Sequence, residues 1–218
     1  YTTAMSAKAP ARRGFALPHP SGRLRRVLIL YTGGTIGMVP SPRGYVCEPG
    51  YLPKLLGSLQ MFSDKDHGYD LSAEGGLNCP QVIQGADASQ ESSVSEPLVT
   101  PVSEFGLQTL YVIKEYAPLL DSCNMACGDW ARVAKDIVDN YEEFDAFVVL
   151  HGTDTMAYTA SALAFMLENL TKTVVITGSQ IPLVRPRNDG VANLLGSLTV
   201  AGHFDIPEVS LVVVLDAV

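Results

Sequence analysis

Apolar residues fall along the chain in short continuous runs, and two of these runs end in clusters of glycine and hydroxyl side chains. Val27-Leu-Ile-Leu-Tyr31 breaks into Thr32-Gly33-Gly34-Thr35, and Ala146-Phe-Val-Val-Leu150 breaks into His151-Gly152-Thr153-Asp154-Thr155. Runs this short, apolar at consecutive rather than alternate positions, predict strands buried on both faces. Leu110 to Tyr116, Thr173 to Thr177 and Glu208 to Leu215 read as further strands. Between them the spacing becomes helical. Trp130, Val133, Ile137, Val138 and Tyr141 predict a helix from about Asp129, with Asp129 as its candidate cap. Helices are also expected from Met156 to Leu170, where Met156, Phe165, Met166 and Leu167 should pack on the sheet, and from about Asp189 to Gly202, capped by Asn188 or Asp189.

Strands alternating with helices at this pitch predict an α/β fold with a mainly parallel sheet and helices on both faces. Ligands of such sheets bind beyond the carboxyl ends of the strands, the edge at which both polar loops fall. Residues 27–218 are expected to form this domain. Residues 1–26 are basic, with no acidic side chain before Glu48, and Pro10, Pro18 and Pro20 break any amphipathic helix of a transit peptide, so a disordered extension is expected. The stretch from about 63 to 106 mixes Ser, Glu, Asp, Gln, Gly and Pro with few large apolar residues and is predicted to be mainly flexible loop.

Composition narrows the function. A 218-residue chain with 47% hydrophobic residues can bury one sizeable core. The net charge of -8 argues against nucleic-acid partners, which need clustered Lys and Arg. Every apolar run falls short of the roughly 18–20 residues of a membrane helix, so no membrane partner is expected. Cys47, Cys79, Cys123 and Cys127 follow no metal-ligand or disulfide spacing, which suits reduced thiols in a cytoplasmic protein.

The glycines at 33 and 34 let the backbone turn tightly and leave the Thr35 hydroxyl free to face a small ligand. The loop has neither the Lys-Ser/Thr ending of a P-loop nor a G-x-G-x-x-G pattern, which disfavours a phosphate cradle. The second loop precedes a helix, whose N-terminus attracts an anion such as an amino-acid carboxylate, while Asp154 can face an ammonium or cap the helix. His151 reads as a structural hydrogen-bonding residue rather than a general base.

With both loops in view, the sequence resembles the bacterial-type L-asparaginases, most closely the cytoplasmic type I branch. The resemblance is carried by YTGGTIGM (Tyr31 to Met38), Gly44-Tyr45, EYAPLLDSCNM (Glu115 to Met125), HGTDTMAYTASALAFMLENL (His151 to Leu170), TGSQIPL (Thr177 to Leu183) and NDGVANLL (Asn188 to Leu195). It implies an N-terminal asparaginase domain in which Thr35 is the nucleophile on a mobile loop and Tyr45 is its hydroxyl partner. Thr153 and Asp154 would be two members of a second catalytic group. Asp121, Ser122 and Cys123 would hold the α-carboxylate and α-amino groups, and the backbone carbonyl of Ser179 would receive the side-chain amide. The implied reaction is double displacement on L-asparagine, with L-glutamine as a minor substrate, without metal or organic cofactor, in a homo-oligomer (dimer or tetramer).

The chain departs from the family pattern in three places. Its only lysine after Asp154 is Lys172, not at the position where the family carries its catalytic lysine, and these 218 residues are not expected to include the family's small C-terminal domain. The chain is therefore expected to match roughly the first two-thirds of such an enzyme, and a catalytically incompetent module that binds asparagine or dimerises is the competing reading. Cys123 stands where a serine or glutamine is usual. The amidase subunit of a tRNA-dependent amidotransferase shares the glycine-threonine loop but should be more basic.

Overall fold

The structure is a computed structural model that describes residues 24–66, 92–206 and 209–210. Within these ranges the elements are β1 (Arg25–Gly33), β2 (Met38–Ser41), β3 (Gly44–Cys47), α1 (Tyr51–Ser58), β4 (Ser93–Val94), β5 (Leu98–Val99), β6 (Thr109–Leu120), α2 (Cys127–Asp139), β7 (Ala146–Leu150), α3 (Met156–Met166), β8 (Thr173–Thr177), α4 (Gly190–His203) and β9 (Val209–Ser210).

One seven-stranded sheet carries the fold in the order β6, β1, β7, β8, β9, all parallel, with β4 and β5 both antiparallel on β6. β2 and β3 form a separate hairpin. Alternate residues of β1 enter opposite cores, as its uninterrupted apolar run requires. Leu28 and Leu30 pack with Val133 and Ile137 of α2 and Ala160 and Leu163 of α3. Val27, Ile29 and Tyr31 pack with Leu52 and Leu56 of α1 and Leu194 and Leu198 of α4. The sheet is thus covered on both faces, as expected for an α/β domain. The chain leaves β1 for the α1 face but leaves its neighbours β6 and β7 for the opposite face. That divergence opens a crevice at the carboxyl ends of these three strands.

Several expectations are corrected. β1 begins at Arg25 and Leu24 is already buried, so the folded domain starts before residue 27. Residues 1–23, 207–208 and 211–218 lie outside the described residues, as do 67–91 of the expected flexible loop. Its described remainder includes β4 and β5, whose short apolar pairs borrow their ordering from the long edge of β6. The hairpin and α1 carry no periodic signal in the sequence. α2 starts at Cys127, and Asp129 lies in its first turn, where its carboxylate accepts from the Ala126 N–H at 2.8 Å. Met156 and Leu167 are buried, but Phe165 and Met166 face outward, at 83% and 47% exposure. α3 is apolar nearly all round, so composition alone did not reveal which face meets the sheet.

β6 is tied to α2 by a buried charge cluster. Lys114 Nζ lies 2.8 Å from Asp136 Oδ1, and the Tyr116 hydroxyl donates to Asp136 Oδ2 at 2.6 Å. The Arg132 guanidinium sits 4.2 Å above the Tyr116 ring. Burial, and next the Asp136 carboxylate, push the Tyr116 phenol above its usual range. The cluster anchors the strand whose carboxyl end delivers residues 121–124 to the crevice.

Candidate active site

The first loop is built by Thr32, Gly33 and Gly34. Thr32 Oγ1 donates to the Leu150 carbonyl at 2.9 Å and so ties the end of β1 to the end of β7. Gly34 then adopts φ 91°, a conformation open to glycine, and leads into a short turn over Thr35–Gly37. A methyl group on Gly34 would sit 2.6 Å from the Gly152 nitrogen. The backbones of the two polar loops therefore touch, and only glycine permits it. Thr35 is half-buried, above the buried Ile36 and Gly37. The Cys47 thiol donates to the Gly34 carbonyl at 3.6 Å from the hairpin side. Below it the buried Glu115 carboxylate accepts from the Gly50 N–H at 2.7 Å, and burial raises its pKa.

The second loop turns at Thr153–Thr155 between β7 and α3. Thr153 Oγ1 accepts from Gln180 Nε2 at 3.0 Å. The Cys123 thiol donates to Asp154 Oδ2 at 3.4 Å, and Asp121 Oδ1 accepts from the Cys123 N–H at 3.1 Å. Thr155 Oγ1 donates to the Ser122 carbonyl at 2.8 Å. Ser122 itself is buried against Gly152, where an added methyl would lie 2.6 Å from its hydroxyl oxygen. Asp121, Ser122, Cys123, Thr153 and Asp154, which are up to 33 positions apart, are thus brought together at one strand edge.

Ligand atoms of Asp121, Cys123 and Asp154 all lie within 4.8 Å of one another on the open surface. The hydrogen bond to Asp154, then the charge of Asp121, raise the Cys123 pKa, so the thiol stays protonated. Two carboxylates beside a neutral thiol suit an organic ammonium better than a soft metal ion, which needs the thiolate. Exposure without ionisation should make Cys123 slow to react. Iodoacetamide labelling at pH 8, read by mass spectrometry, is expected to modify Cys123 several-fold more slowly than a free thiol of pKa about 8.5, and Asp154→Asn should accelerate it. Equal rates would count against this arrangement.

The remaining expected residues are Ser179 and Tyr45. Ser179 is buried beyond β8 and its hydroxyl donates to the Ile181 carbonyl at 2.8 Å, which bends the loop inward. Tyr45 lies on β3 opposite Pro40 at 41% exposure, and no hydrogen bond among the described residues joins it to Thr35. Asn188 caps α4 by accepting from the Val191 N–H at 2.9 Å. Asp189 instead accepts from the Gln180 and Ile181 N–H groups at 2.8 and 2.9 Å and so holds the loop that presents Gln180. Gln180 was missed in the sequence, although its place just beyond an apolar strand in Gly178-Ser179-Gln180 was the available signal. Lys172 is far from this cluster: its Nζ donates to the Tyr141 carbonyl and lies 4.4 Å from the centre of the Tyr141 ring. His151 is fully buried and hydrogen-bonded at both ring nitrogens, in keeping with a structural role.

Comparison with known proteins identifies the family. The model of the family described as "Asparaginase, N-terminal" matches residues 26–217. L-asparaginase 1 of Escherichia coli K12 is 40% identical over 86% of this chain and 43% of its own length. The 60 kDa lysophospholipase of Homo sapiens is 41% identical over 87% of this chain and 30% of its own. The crystal structure of L-asparaginase I from Vibrio cholerae superposes with a TM-score of 0.62 at 40% identity, over 87% of this chain and 44% of that one. The chain thus spans less than half the length of these relatives, not the two-thirds expected. Among the described residues, no helix is long and apolar enough to cross a membrane. With the family model matching nearly the whole chain and both polar loops meeting at one strand edge, the chain belongs to the asparaginase family, of which it carries the N-terminal domain.

Proposed function

We propose that this domain hydrolyses the side-chain amide of L-asparagine to L-aspartate and ammonia, with L-glutamine as a minor substrate. The observation that carries the reading is the contact of Gly34 with Gly152, which sets the Thr35 loop against the Thr153-Asp154 loop. The Thr35 hydroxyl attacks the amide carbon and passes its proton towards the leaving nitrogen. Ammonia departs, and water then cleaves the β-aspartyl ester and restores the hydroxyl. A neutral hydroxyl needs a proton acceptor to attack. Thr153, held by Gln180 with Asp154 beside it, is the group assigned to that relay, and Tyr45 serves if the hairpin closes. Backbone N–H groups at Thr35 and Thr153 stabilise the oxyanion, at about 3 kcal/mol per donor in hydrolases generally. Asp121 and Asp154 take the α-ammonium, Ser122 and Cys123 border it, and the Ser179 carbonyl accepts from the amide. The reading calls on no metal or organic cofactor and places the enzyme in the cytoplasm as a dimer or tetramer.

Lys172, engaged with Tyr141, supports a second reading in which this chain binds asparagine without turning it over. Calorimetric titration with L-asparagine, paired with a coupled ammonia assay, separates the two. Binding with release supports the hydrolase, binding alone supports the second reading, and the absence of both would leave neither standing.

A further inference from the structure

Four groups from three elements form a directed hydrogen-bond chain that ends on the second loop. Trp130 Nε1 of α2 lies 2.9 Å from Thr159 Oγ1 of α3, which lies 2.8 Å from His151 Nε2, and His151 Nδ1 lies 2.6 Å from the Gly152 carbonyl. Each direction follows from chemistry. The indole N–H only donates and the carbonyl only accepts, so Thr159 accepts from Trp130 and His151 Nδ1 carries a proton. The neutral ring then offers the Nε2 lone pair, and Thr159 gives its single proton there rather than to the Met125 sulfur at 3.8 Å. Burial, opposed by the Gly152 bond, holds this imidazole below its ordinary pKa, which agrees with a neutral ring. The His151 backbone is braced as well, because its N–H donates to the Thr177 carbonyl of β8 at 2.9 Å and its carbonyl packs against Gly178.

The Gly152–Thr153 peptide is planar and trans, so its carbonyl and the Thr153 N–H point in opposite directions. Clamping one sets the other. We propose that His151, as the neutral tautomer protonated at Nδ1, is a positioning residue that aims the Thr153 N–H and hydroxyl into the site, with Thr159 and Trp130 holding its ring. The proposal rests on the hydrolase reading for its kinetic consequence but not for its structural one.

The test uses the full chain and the variants His151→Leu, His151→Asn and Thr159→Val, each checked for folding by circular dichroism. An error of about 1 Å in a reacting group can cost on the order of 100-fold. His151→Leu should therefore lower kcat for ammonia release about 30- to 100-fold while KM moves less than about threefold. His151→Asn, whose side-chain N–H can replace the Nδ1 donor, should recover to within about fivefold of the parent, and Thr159→Val should fall between the two. In parallel, ¹⁵N NMR of the ring at pH 7 should show the proton on Nδ1, and the Thr153 amide resonance should shift in His151→Leu and Thr159→Val but stay near the parent's in His151→Asn. Retained kcat in His151→Leu, equal damage in the asparagine variant, or a proton on Nε2 would each overturn the assignment. If the parent chain releases no ammonia, the hydrolase reading fails by itself. The positioning role is then decided by the NMR: unmoved Thr153 resonances reject it, and the stated shifts uphold it.

Discussion

Thr35→Ala is expected to abolish ammonia release, with a loss in kcat of about 10⁴-fold or more, the order seen when a hydrolase loses its nucleophile. Asparagine binding should change little, because the groups assigned to the α-ammonium lie on the loops after β6 and β7. Stability should hardly move either, since Thr35 is only half-buried and the turn is built by Gly34 and the buried Ile36. Thr35→Ser keeps the hydroxyl and should retain measurable turnover. This pattern, with chemistry lost and binding kept, is specific to a residue that touches the reacting carbon. A coupled ammonia assay alongside calorimetry checks it, and full activity in the alanine variant would rule Thr35 out as the attacking group.

Asp136→Ala is the other large effect, and it acts on the fold. The Lys114 and Asp136 side chains are 2% and 3% exposed. Removing the carboxylate leaves an ammonium buried without its counter-charge and the Tyr116 hydroxyl without its acceptor. Truncating one partner of a buried pair costs about 3–5 kcal/mol, a large share of the roughly 5–15 kcal/mol that keeps a domain folded. Urea denaturation should show that loss at unchanged slope. Replacing both partners, as Lys114→Met with Asp136→Leu, should return much of the stability, because no unpaired charge remains. If the single variant lost less than about 1 kcal/mol, the cluster would not be the anchor of β6 described above.

The strands that carry the two polar loops were legible in the sequence. Val27 to Tyr31, Ala146 to Leu150 and Thr173 to Thr177 are apolar at every position because both faces of a central parallel strand are buried, and that constraint is local to each run. Each run gives way to glycine and hydroxyl residues at its carboxyl end, so both loops could be assigned to the same sheet edge before any contact was known. The order of the two motifs also pointed to the family. The short strands β4 and β5, the hairpin and α1 were not legible, because two- to eight-residue elements acquire their order from what they pack on.

Only the tertiary structure decided how the site is assembled. The touch of Gly34 on Gly152, the Cys123 bond to Asp154, the Gln180 bond to Thr153 and the chain from Trp130 to Gly152 all join residues remote in sequence. The burial of Lys114 against Asp136 and the outward turn of Phe165 were decided at the same level. The sequence by itself determined at which strand ends the candidate side chains stand, since hydrophobic runs and glycine breaks act over a few residues. Which of those side chains meet was set by the register of parallel strands and by the helix packed over each face, interactions that join residues as remote as Val27 and Leu198 and that no local pattern encodes.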